Sequence, residues 1–356
     1  MCRECLRISE SGHWASNEYR NSKWKKPARL LTGRLMNVVS FIAAIAVACI
    51  LAVNASAQEY PTRLIKLVQG FPPGGNVEAV ARLLAHEMSK TLGQAIIVES
   101  KPGQAGSLAA EFVAAAEPDG YTLLLVSGAH PATAAIYKKL KYDPIDGFSW
   151  ISTASFYPFI ICVRKEAKFQ TLADLIAGAR GSPGAVSSGT AGNGSIAHMT
   201  TELLAQMAGV KLLAVPYRGE ALAITGLLSG DVDFVVATTS LAVPNIRSGT
   251  VRALAVTGKD RWKDLPDIPA VAEAGFPDFE VISWSGLAAP AKTPKAIAER
   301  LYGELMRAIS VPDVRTKLEN TGSEVRAIAS AQMRMLVENQ IAMWSKVARD
   351  AHIELE

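Results

Sequence analysis

The chain has 356 residues and a formal net charge of +4, from 37 Lys and Arg against 33 Asp and Glu. Eight of the bases and three of the acids lie in the first 57 residues, which leaves 29 basic and 30 acidic side chains in the remaining 299 residues. This near-neutral balance, without a cluster of Lys and Arg interleaved with aromatic residues, excludes a nucleic-acid partner. Of the four cysteines only Cys162 lies beyond the first 57 residues, so the sequence predicts neither a disulfide nor a thiolate metal site there.

The first 57 residues have the pattern of a secretory signal peptide. Five Lys and Arg side chains between residues 23 and 34 precede an apolar run over residues 35–53, and the small residues Ala-Ser-Ala at 55–57 offer a cleavage site before Gln58. The pattern predicts secretion to the periplasm with cleavage after Ala57. Two alternatives stay open: the run is nearly long enough to be an uncleaved membrane anchor, and Cys49 would be the modified residue of a lipoprotein.

A Pro/Gly-rich loop joins the first predicted strand, residues 64–68, to an amphipathic helix. Apolar residues recur at helical spacing over residues 77–92, which predicts this helix. The glycines allow a tight turn, and backbone N–H groups at the helix start attract a carboxylate or a phosphate. An ordinary strand-to-helix turn is the alternative. The candidate ligand-binding residues of this loop are Phe71, Gly74, Gly75 and Asn76.

Strands and helices alternate along the rest of the chain, in the rhythm of βαβ units. The strands are continuous apolar runs, which indicates parallel sheets covered on both faces by helices. Predicted strands after the first cover residues 95–99, 121–126, 159–163, 184–187, 212–215, 233–236, 251–256, 279–283 and 286–289. Predicted helices after the first cover residues 108–116, 172–179, 195–208, 220–229, 294–309, 311–319 and 331–351.

The 299 residues that follow the predicted signal exceed the usual size of a single core, which favours two lobes. We predict an α/β fold with two doubly wound lobes joined by a hinge. The last helix has an apolar face that we expect to dock on the first lobe. The first lobe would then consist of residues 58–157 and 285–356 and the second of residues 158–284. Two crossings, near residues 152–158 and Trp284, would form the hinge.

A second loop, rich in Gly and Ser, covers residues 187–195 and also lies between a predicted strand and a predicted helix. Its hydroxyls and N–H groups would face the Pro/Gly loop across a cleft, so that the two helix starts grip one carboxylate each or share one. The alternative is a plain loop with Ser195 as the helix N-cap, and His198 would either cap and pack or contact the ligand. The candidate ligand-binding residues here are Ser188, Gly189, Thr190, Gly194 and Ser195.

Two further groups of candidates follow strand ends, which is where α/β clefts bind ligands. Tyr217, Arg218 and Gly219 follow one strand, and Thr238 follows another. Arg218 would either close over an acidic ligand or pair with Glu220 at the surface. Thr238 would either contact the ligand or cap the next helix.

The sequence offers no constellation of catalytic residues. It lacks a G-x-S-x-G nucleophile elbow, a Walker loop, an H-E-x-x-H zinc motif and a G-x-G-x-x-G fingerprint. The four histidines beyond residue 57 lie far apart, and only His198 is near a candidate nucleophile, Ser195. We therefore predict no catalytic residue, no metal site and no cofactor. Two functions stay open as alternatives to the interpretation that follows: a secreted small-molecule sensor that feeds a signalling partner, and an α/β enzyme.

Several segments, in order along the chain, together resemble the Bug-type solute-binding proteins of tripartite tricarboxylate transporters. The resemblance implies a type II periplasmic-binding fold that captures a small carboxylate between its lobes, largely through backbone groups and bridging waters. It also implies membrane transporter subunits as partners, and we expect the receptor to be a monomer. The segments include Pro-Gly-Gly at 73–75, Pro-Asp-Gly-Tyr-Thr-Leu-Leu at 118–124, Val-Pro-Tyr-Arg-Gly at 215–219, Leu-Pro-x-Ile-Pro at 265–269 and Trp-x-Gly at 284–286.

The chain departs from the family pattern at a few positions, which leaves the identity of the carboxylate open. Glu78 stands where the family usually has Asp, and Ser100 and Ala105 replace Asn and Gly. A loop at the end of the third predicted strand varies with the ligand in the family. In that loop we expect Ser127 and His130 to contact the ligand.

Overall fold

The computed structural model describes residues 60–353, which form ten β-strands and ten α-helices. The predicted signal peptide and its cleavage site lie outside the described residues. The strands are β1 (Ile65–Gln69), β2 (Ile96–Ser100), β3 (Thr122–Ser127), β4 (Phe148–Arg164), β5 (Ser187–Thr190), β6 (Leu213–Pro216), β7 (Phe234–Thr238), β8 (Val251–Val256), β9 (Ile282–Pro290) and β10 (Glu324–Val325). The helices are α1 (Asn76–Leu92), α2 (Ser107–Ala114), α3 (Ala129–Ile136), α4 (Leu172–Gly181), α5 (Ile196–Ala208), α6 (Glu220–Ser229), α7 (Thr239–Arg247), α8 (Lys295–Ser310), α9 (Pro312–Asn320) and α10 (Ser330–Asp350).

The strands form a continuous sheet in the order β2-β1-β3-β9-β4-β7-β5-β6, and β8 and β10 also pair with β4. Two sections are distinguished by their pairings. In the first section, β1 runs parallel to β2 and β3, and β9 runs antiparallel to β3. In the second section, β5 runs parallel to β6 and β7, and both β7 and β8 run antiparallel to β4. The sheet is therefore mixed rather than purely parallel, because an apolar run buried on both faces does not reveal the direction of its strand.

The long strand β4 belongs to both sections. Its residues 148–158 pair with β9, and its residues 159–163 pair with β7. The sequence pattern predicted only residues 159–163 as a strand, because serine and threonine side chains interrupt the apolar run before them. These polar side chains are buried in the strand, and Ser152 Oγ donates a hydrogen bond to the carbonyl oxygen of Ile328 at 2.7 Å. A hydrogen-bonded hydroxyl can lie inside the sheet without the penalty of an unpaired polar group.

Helix α1 is fixed on the first section by its buried face. Val80, Leu84 and Met88 are buried and pack in one cluster with β1, β3 and α8. Their spacing of four residues places them on one side of a helix, which is why the sequence pattern predicts this element well. The packing holds the start of α1 beside the carboxyl end of β1.

The last helix, α10, packs on both sections rather than on the first section alone, which was the expectation. Met333 and Val337 join a cluster of the first section that includes Trp284, as expected from the apolar face. Further along the helix, Trp344 and Val347 join a different cluster, which includes residues of α4 and α5. The predicted lobe boundaries therefore stay a prediction, with α10 as an additional connection between the two sections.

Five of the connections from a strand to the following helix bear on the site. These connections are β1 to α1, β3 to α3, β5 to α5, β6 to α6 and β7 to α7. The carboxyl ends of parallel strands gather at one edge of a sheet, and the starts of the following helices gather with them. Between Tyr60 and Ile353, no helix is both long and apolar enough to cross a membrane.

Candidate functional site

A cavity of about 310 Å³ lies where the two sheet sections meet. Residues at or next to the starts of five helices line it: Asn76 and Val77 of α1, Ala129 of α3, Ile196 and Ala197 of α5, Glu220 of α6, and Thr238 before α7. The first N–H groups of a helix have no partner within the helix, and the helix dipole is positive at this end. Several such ends around one cavity create an electrostatic environment that favours an anionic group.

Most of the remaining cavity wall is apolar. Hydrocarbon and aromatic surfaces suit a ligand that carries a short carbon skeleton as well as an anionic group. Side chains from both sections contribute to this wall: Phe71, Pro72, Pro73, Tyr157, Phe159, Leu222, Val236 and Leu241.

Asn76, the first residue of α1, is a polar side chain without a partner. It is 2% exposed, and neither its Oδ1 nor its Nδ2 makes a hydrogen bond to another residue in the range 60–353. A buried polar group that lacks a partner costs roughly 1–3 kcal/mol, so it is a feature that requires a reason. Asn76 lines the cavity, where a ligand that accepts from its amide nitrogen would supply that reason.

Tyr157 of β4 places a hydroxyl beside Asn76 in the cavity wall. Burial raises the pKa of this hydroxyl, and the nearby side chains of Ser283, Asn76 and Ser285 lower it by a smaller amount. The phenol is therefore neutral at pH 7 and able to donate. Ser285 Oγ lies near the Tyr157 hydroxyl but, like the Asn76 amide, makes no hydrogen bond to a described residue.

Two backbone N–H groups of the Pro/Gly loop already donate hydrogen bonds to side chains of the protein. The N–H of Phe71 donates to Gln69 Oε1 at 2.7 Å, and the N–H of Gly74 donates to Glu78 Oε2 at 2.6 Å. The Gly74 N–H and the guanidinium of Arg82 hold the pKa of Glu78 below its usual range, against the opposing effect of burial. The N–H groups that are left for a ligand are those at the helix start, from Gly75 onward.

Gly75 itself has open space beside it. Its φ is −91°, which other residues adopt readily, and an added Cβ would meet no atom within 4 Å. Gly74, by contrast, has a φ of 97° and needs glycine for the turn.

Several polar groups of the second loop are likewise hydrogen-bonded to other residues of the protein. Ser195 is the N-cap of α5, since its Oγ accepts from the backbone N–H of His198 at 3.3 Å. The N–H of Gly194 donates to Nδ1 of His198 at 3.2 Å, so the imidazole has the capping role that was one of its two predicted roles. Ser188 Oγ lies 2.9 Å from Thr201 Oγ1, inside the packing of β5 against α5.

The loop after β6 corrects one predicted ion pair. Glu220 does not pair with Arg218, because both of its carboxylate oxygens accept from Thr238, one from the backbone N–H and the other from Oγ1 at 3.1 Å. Arg218 is exposed at the edge of the cavity and forms no ion pair with any residue from 60 to 353. Tyr217 turns its ring toward Gly226 of α6 and lines an adjacent cleft of about 500 Å³.

His130 lies away from the main cavity. It is buried among the rings of Tyr142, Phe148 and Trp150, and its Nε2 is 2.8 Å from the carbonyl oxygen of Pro144. Burial lowers the pKa of His130 to about 4, so the ring is neutral at pH 7. The structure gives His130 a place in an aromatic cluster.

The structure brings together about half of the predicted ligand contacts, and whether they touch a ligand stays a prediction. Those that line the main cavity are Phe71, Gly75, Asn76, Ser127, Ser195, Arg218, Gly219 and Thr238. Those that lie outside its wall are Gly74, His130, Ser188, Gly189, Thr190, Gly194 and Tyr217. Sequence reasoning missed Tyr157, Ser283 and Glu220, none of which stands in a Gly-rich loop.

Ser195, the nucleophile that the sequence suggested, is not paired with a general base in the cavity. The hydroxyl of Ser195 is engaged with the backbone of His198, and Nδ1 of that histidine accepts from Gly194. Between residues 60 and 353, no three His, Cys, Asp or Glu side chains are grouped so as to hold a metal ion.

Comparison with known proteins gives consistent matches. The family model described as "Tripartite tricarboxylate transporter family receptor" matches residues 80–353. The structure of R. palustris Rpa4515 with adipate has a TM-score of 0.79 at 34% identity, and the match covers 83% of this chain and 99% of that chain. The periplasmic binding protein BugD has a TM-score of 0.78 at 32% identity, with the same two coverages. MatC from Rhodopseudomonas palustris with bound malate has a TM-score of 0.76 at 34% identity, covering 81% and 99%.

The mixed α/β fold shared with these proteins is that of a periplasmic solute-binding receptor. The chain belongs to the tripartite tricarboxylate transporter receptor family, and the predicted resemblance and fold class are confirmed. Members of the family are periplasmic binding proteins. The family and the structural neighbours are receptors rather than enzymes.

Proposed function

We propose that this protein is a periplasmic receptor that captures a small carboxylate in the 310 Å³ cavity and delivers it to the membrane subunits of a tripartite tricarboxylate-type transporter. The observation that carries the proposal is the unpartnered Asn76 amide at the start of α1, inside a cavity lined by five helix starts. The amide nitrogen of Asn76 and the N–H groups from Gly75 to Val77 donate to the carboxylate. The carbon skeleton of the ligand contacts the aromatic wall.

The family and the sequence support the remaining parts of this proposal. The related structures contain adipate and malate, which are small carboxylates. The pattern of residues 1–57 is that of a cleavable signal, which supports export and cleavage after Ala57. We infer that the protein is not an enzyme, because its family and its structural neighbours are solute-binding receptors.

The test replaces Asn76 by leucine, which has a similar volume and no polar atoms. Wild-type protein should show a higher melting temperature with saturating adipate, malate or related carboxylates, since a ligand at about 100 times its Kd adds roughly 2.7 kcal/mol of stability. Asn76→Leu should weaken binding by about ten- to a hundredfold, as expected for a lost hydrogen bond to a charged group. Without ligand, the variant should be no less stable than the wild type, because an unpaired buried amide has been removed.

The matched control is Thr200→Val. Thr200 Oγ1 is also buried and without a partner in the described chain, but Thr200 does not line the cavity. This variant should bind carboxylates like the wild type. Equal affinity of wild type and Asn76→Leu, or no binding of any small carboxylate to the wild type, would contradict the proposed function.

A further inference from the structure

The cavity contains a carboxylate of the protein itself. Glu220 is the first residue of α6, is half-buried and lines the cavity. Its two oxygens accept from the backbone N–H and the hydroxyl of Thr238, the residue that precedes α7. Glu220 therefore occupies the start of α7 as an internal anion, in a place where the helix end would otherwise attract an anionic group of the ligand.

No Lys, Arg or His among residues 60–353 forms an ion pair with this carboxylate. None of the ion pairs formed within residues 60–353 includes a residue of the cavity wall. Arg218, two residues earlier, is exposed at the rim. The titratable groups near Glu220 on β4 are Tyr157 and Cys162, and burial raises the pKa of both, which keeps them neutral. Thr238, at the end of β7 and just before α7, faces Glu220 and does not titrate.

The position of Glu220 discriminates between ligands. A dicarboxylate bound at Asn76 by one end brings its other carboxylate into the same cavity of about 310 Å³ as Glu220, and like charges in a partly dry site repel. A cationic nitrogen at that end pairs with Glu220 and uses the lone pairs that Thr238 leaves open.

We propose that Glu220 is the specificity-determining residue of the cavity, and that it selects a ligand with a carboxylate at one end and a cationic nitrogen at the other. The inference rests on the proposed function, because the carboxylate end is the one captured at Asn76. It narrows the ligand class from small carboxylates to amino carboxylates whose two charged groups are separated by a short carbon chain.

The protonation of Glu220 gives the inference a pH signature. Burial raises the pKa of Glu220 to about 7, against the opposing effect of the hydrogen bonds from Thr238. Only the ionised form pairs with a cation. The affinity for an amino carboxylate should therefore rise as pH increases from about 6 to about 8, whereas the affinity for a dicarboxylate should fall over the same range.

The experiment is calorimetry on the full mature protein with pairs of ligands matched in chain length. The pairs are 6-aminohexanoate with adipate and 4-aminobutanoate with succinate, and hexanoate serves as a ligand with no group at the far end. At about pH 8, each amino carboxylate should bind at least about tenfold more tightly than its dicarboxylate. Glu220→Gln keeps an oxygen for the Thr238 N–H, and it should lose at least about tenfold in affinity for the amino carboxylates and gain affinity for the dicarboxylates.

The outcomes separate this inference from the proposed function. Tighter binding of adipate and succinate than of their amino partners to the wild type overturns the inference and leaves a carboxylate receptor in place. The same holds if Glu220→Gln, shown to be folded by its melting curve, keeps the wild-type preference. The comparison of matched ligands and the pH series use wild-type protein alone, so they decide the question even where the variant does not fold. Absence of binding by all five compounds overturns both proposals.

Discussion

At the scale of single residues, the cavity combines a donor that lacks a partner with an acceptor that lacks a cation. Asn76 supplies the donor on α1 and Glu220 supplies the acceptor on α6. Apart from Arg218 at the edge of the cavity, the groups that attract an anion are backbone N–H groups, which are the same whatever the side chains. Selectivity among carboxylates therefore depends on the few polar side chains in the cavity wall, such as Asn76 and Glu220.

Gly75→Val tests whether backbone groups at the start of α1 grip the ligand. The φ of −91° suits valine, and its Cβ would meet no protein atom within 4 Å, so the fold should be preserved. Because Gly75 lines the cavity, the side chain should block approach to the N–H groups and abolish carboxylate binding in calorimetry. Gly181→Val is the control, since an added Cβ there also meets nothing within 4 Å and Gly181 is outside the cavity.

Arg218→Ala tests the rival idea of a charge clamp. Arg218 is exposed at the cavity edge, where a pair with the ligand is screened by water. If backbone groups carry the binding, the variant should change Kd by less than about fivefold. Normal binding by Gly75→Val together with loss of binding by Arg218→Ala would replace the backbone grip by the clamp.

At the scale of elements, contacts far from the cavity must hold each helix so that its start stays at the cavity wall. Glu304 of α8 does this for α1, because its carboxylate is 1% exposed and accepts from Thr91 near the end of α1. Two arginines of α8 form ion pairs with Glu304: Arg300 Nε and Arg307 Nη1 lie 3.1 Å and 2.8 Å from its Oε1. The cluster fixes α8 against the helix whose first residue is Asn76.

Glu304→Ala should lower the free energy of unfolding by about 3 kcal/mol. This is the lower end of the range of about 3–5 kcal/mol for breaking a buried ion pair, because the two arginines are half exposed. Urea denaturation measures the change. The control is Glu299→Ala on the same helix, whose pair with Lys295 is 66% exposed on the acidic side. That variant should stay within about 0.5 kcal/mol of the wild type. Equal midpoints for the two variants would show that the buried cluster does not hold α8 on α1.

The sequence predicts the helices of the site better than its strands and their contacts. Val80, Leu84 and Met88 mark α1 through the helical period, and the Gly-rich loops mark helix starts near the cavity. Tyr157 and Ser283 reach the cavity from antiparallel strands, and no local pattern gives the register that brings them there. For Glu220 the nearby Arg218 suggested an ion pair, whereas the actual partner is Thr238, 18 residues away and adjacent only in the folded chain.

At the scale of the whole molecule, strand β4 and helix α10 connect the two sheet sections. Strand β4 runs through both sections and is paired with β9 up to Pro158. The pairing of β4 with β9 shifts register twice, between Trp150 and Ser152 and between Thr153 and Ser155, and such bulges bend a strand. Helix α10 contributes Met333 to one core and Trp344 to another.

These connections lead to the prediction that a ligand in the cavity draws the two sections together. Ligand contacts both sections and therefore has its highest affinity for the closed arrangement, which shifts the population toward it. Small-angle X-ray scattering should show a smaller radius of gyration with a saturating carboxylate than without it. Asn76→Leu at the same ligand concentration should keep the scattering profile of the free protein. Identical profiles for free and saturated wild-type protein would mean that α10 and the paired strands hold the sections in one arrangement, and that ligand enters a preformed cavity.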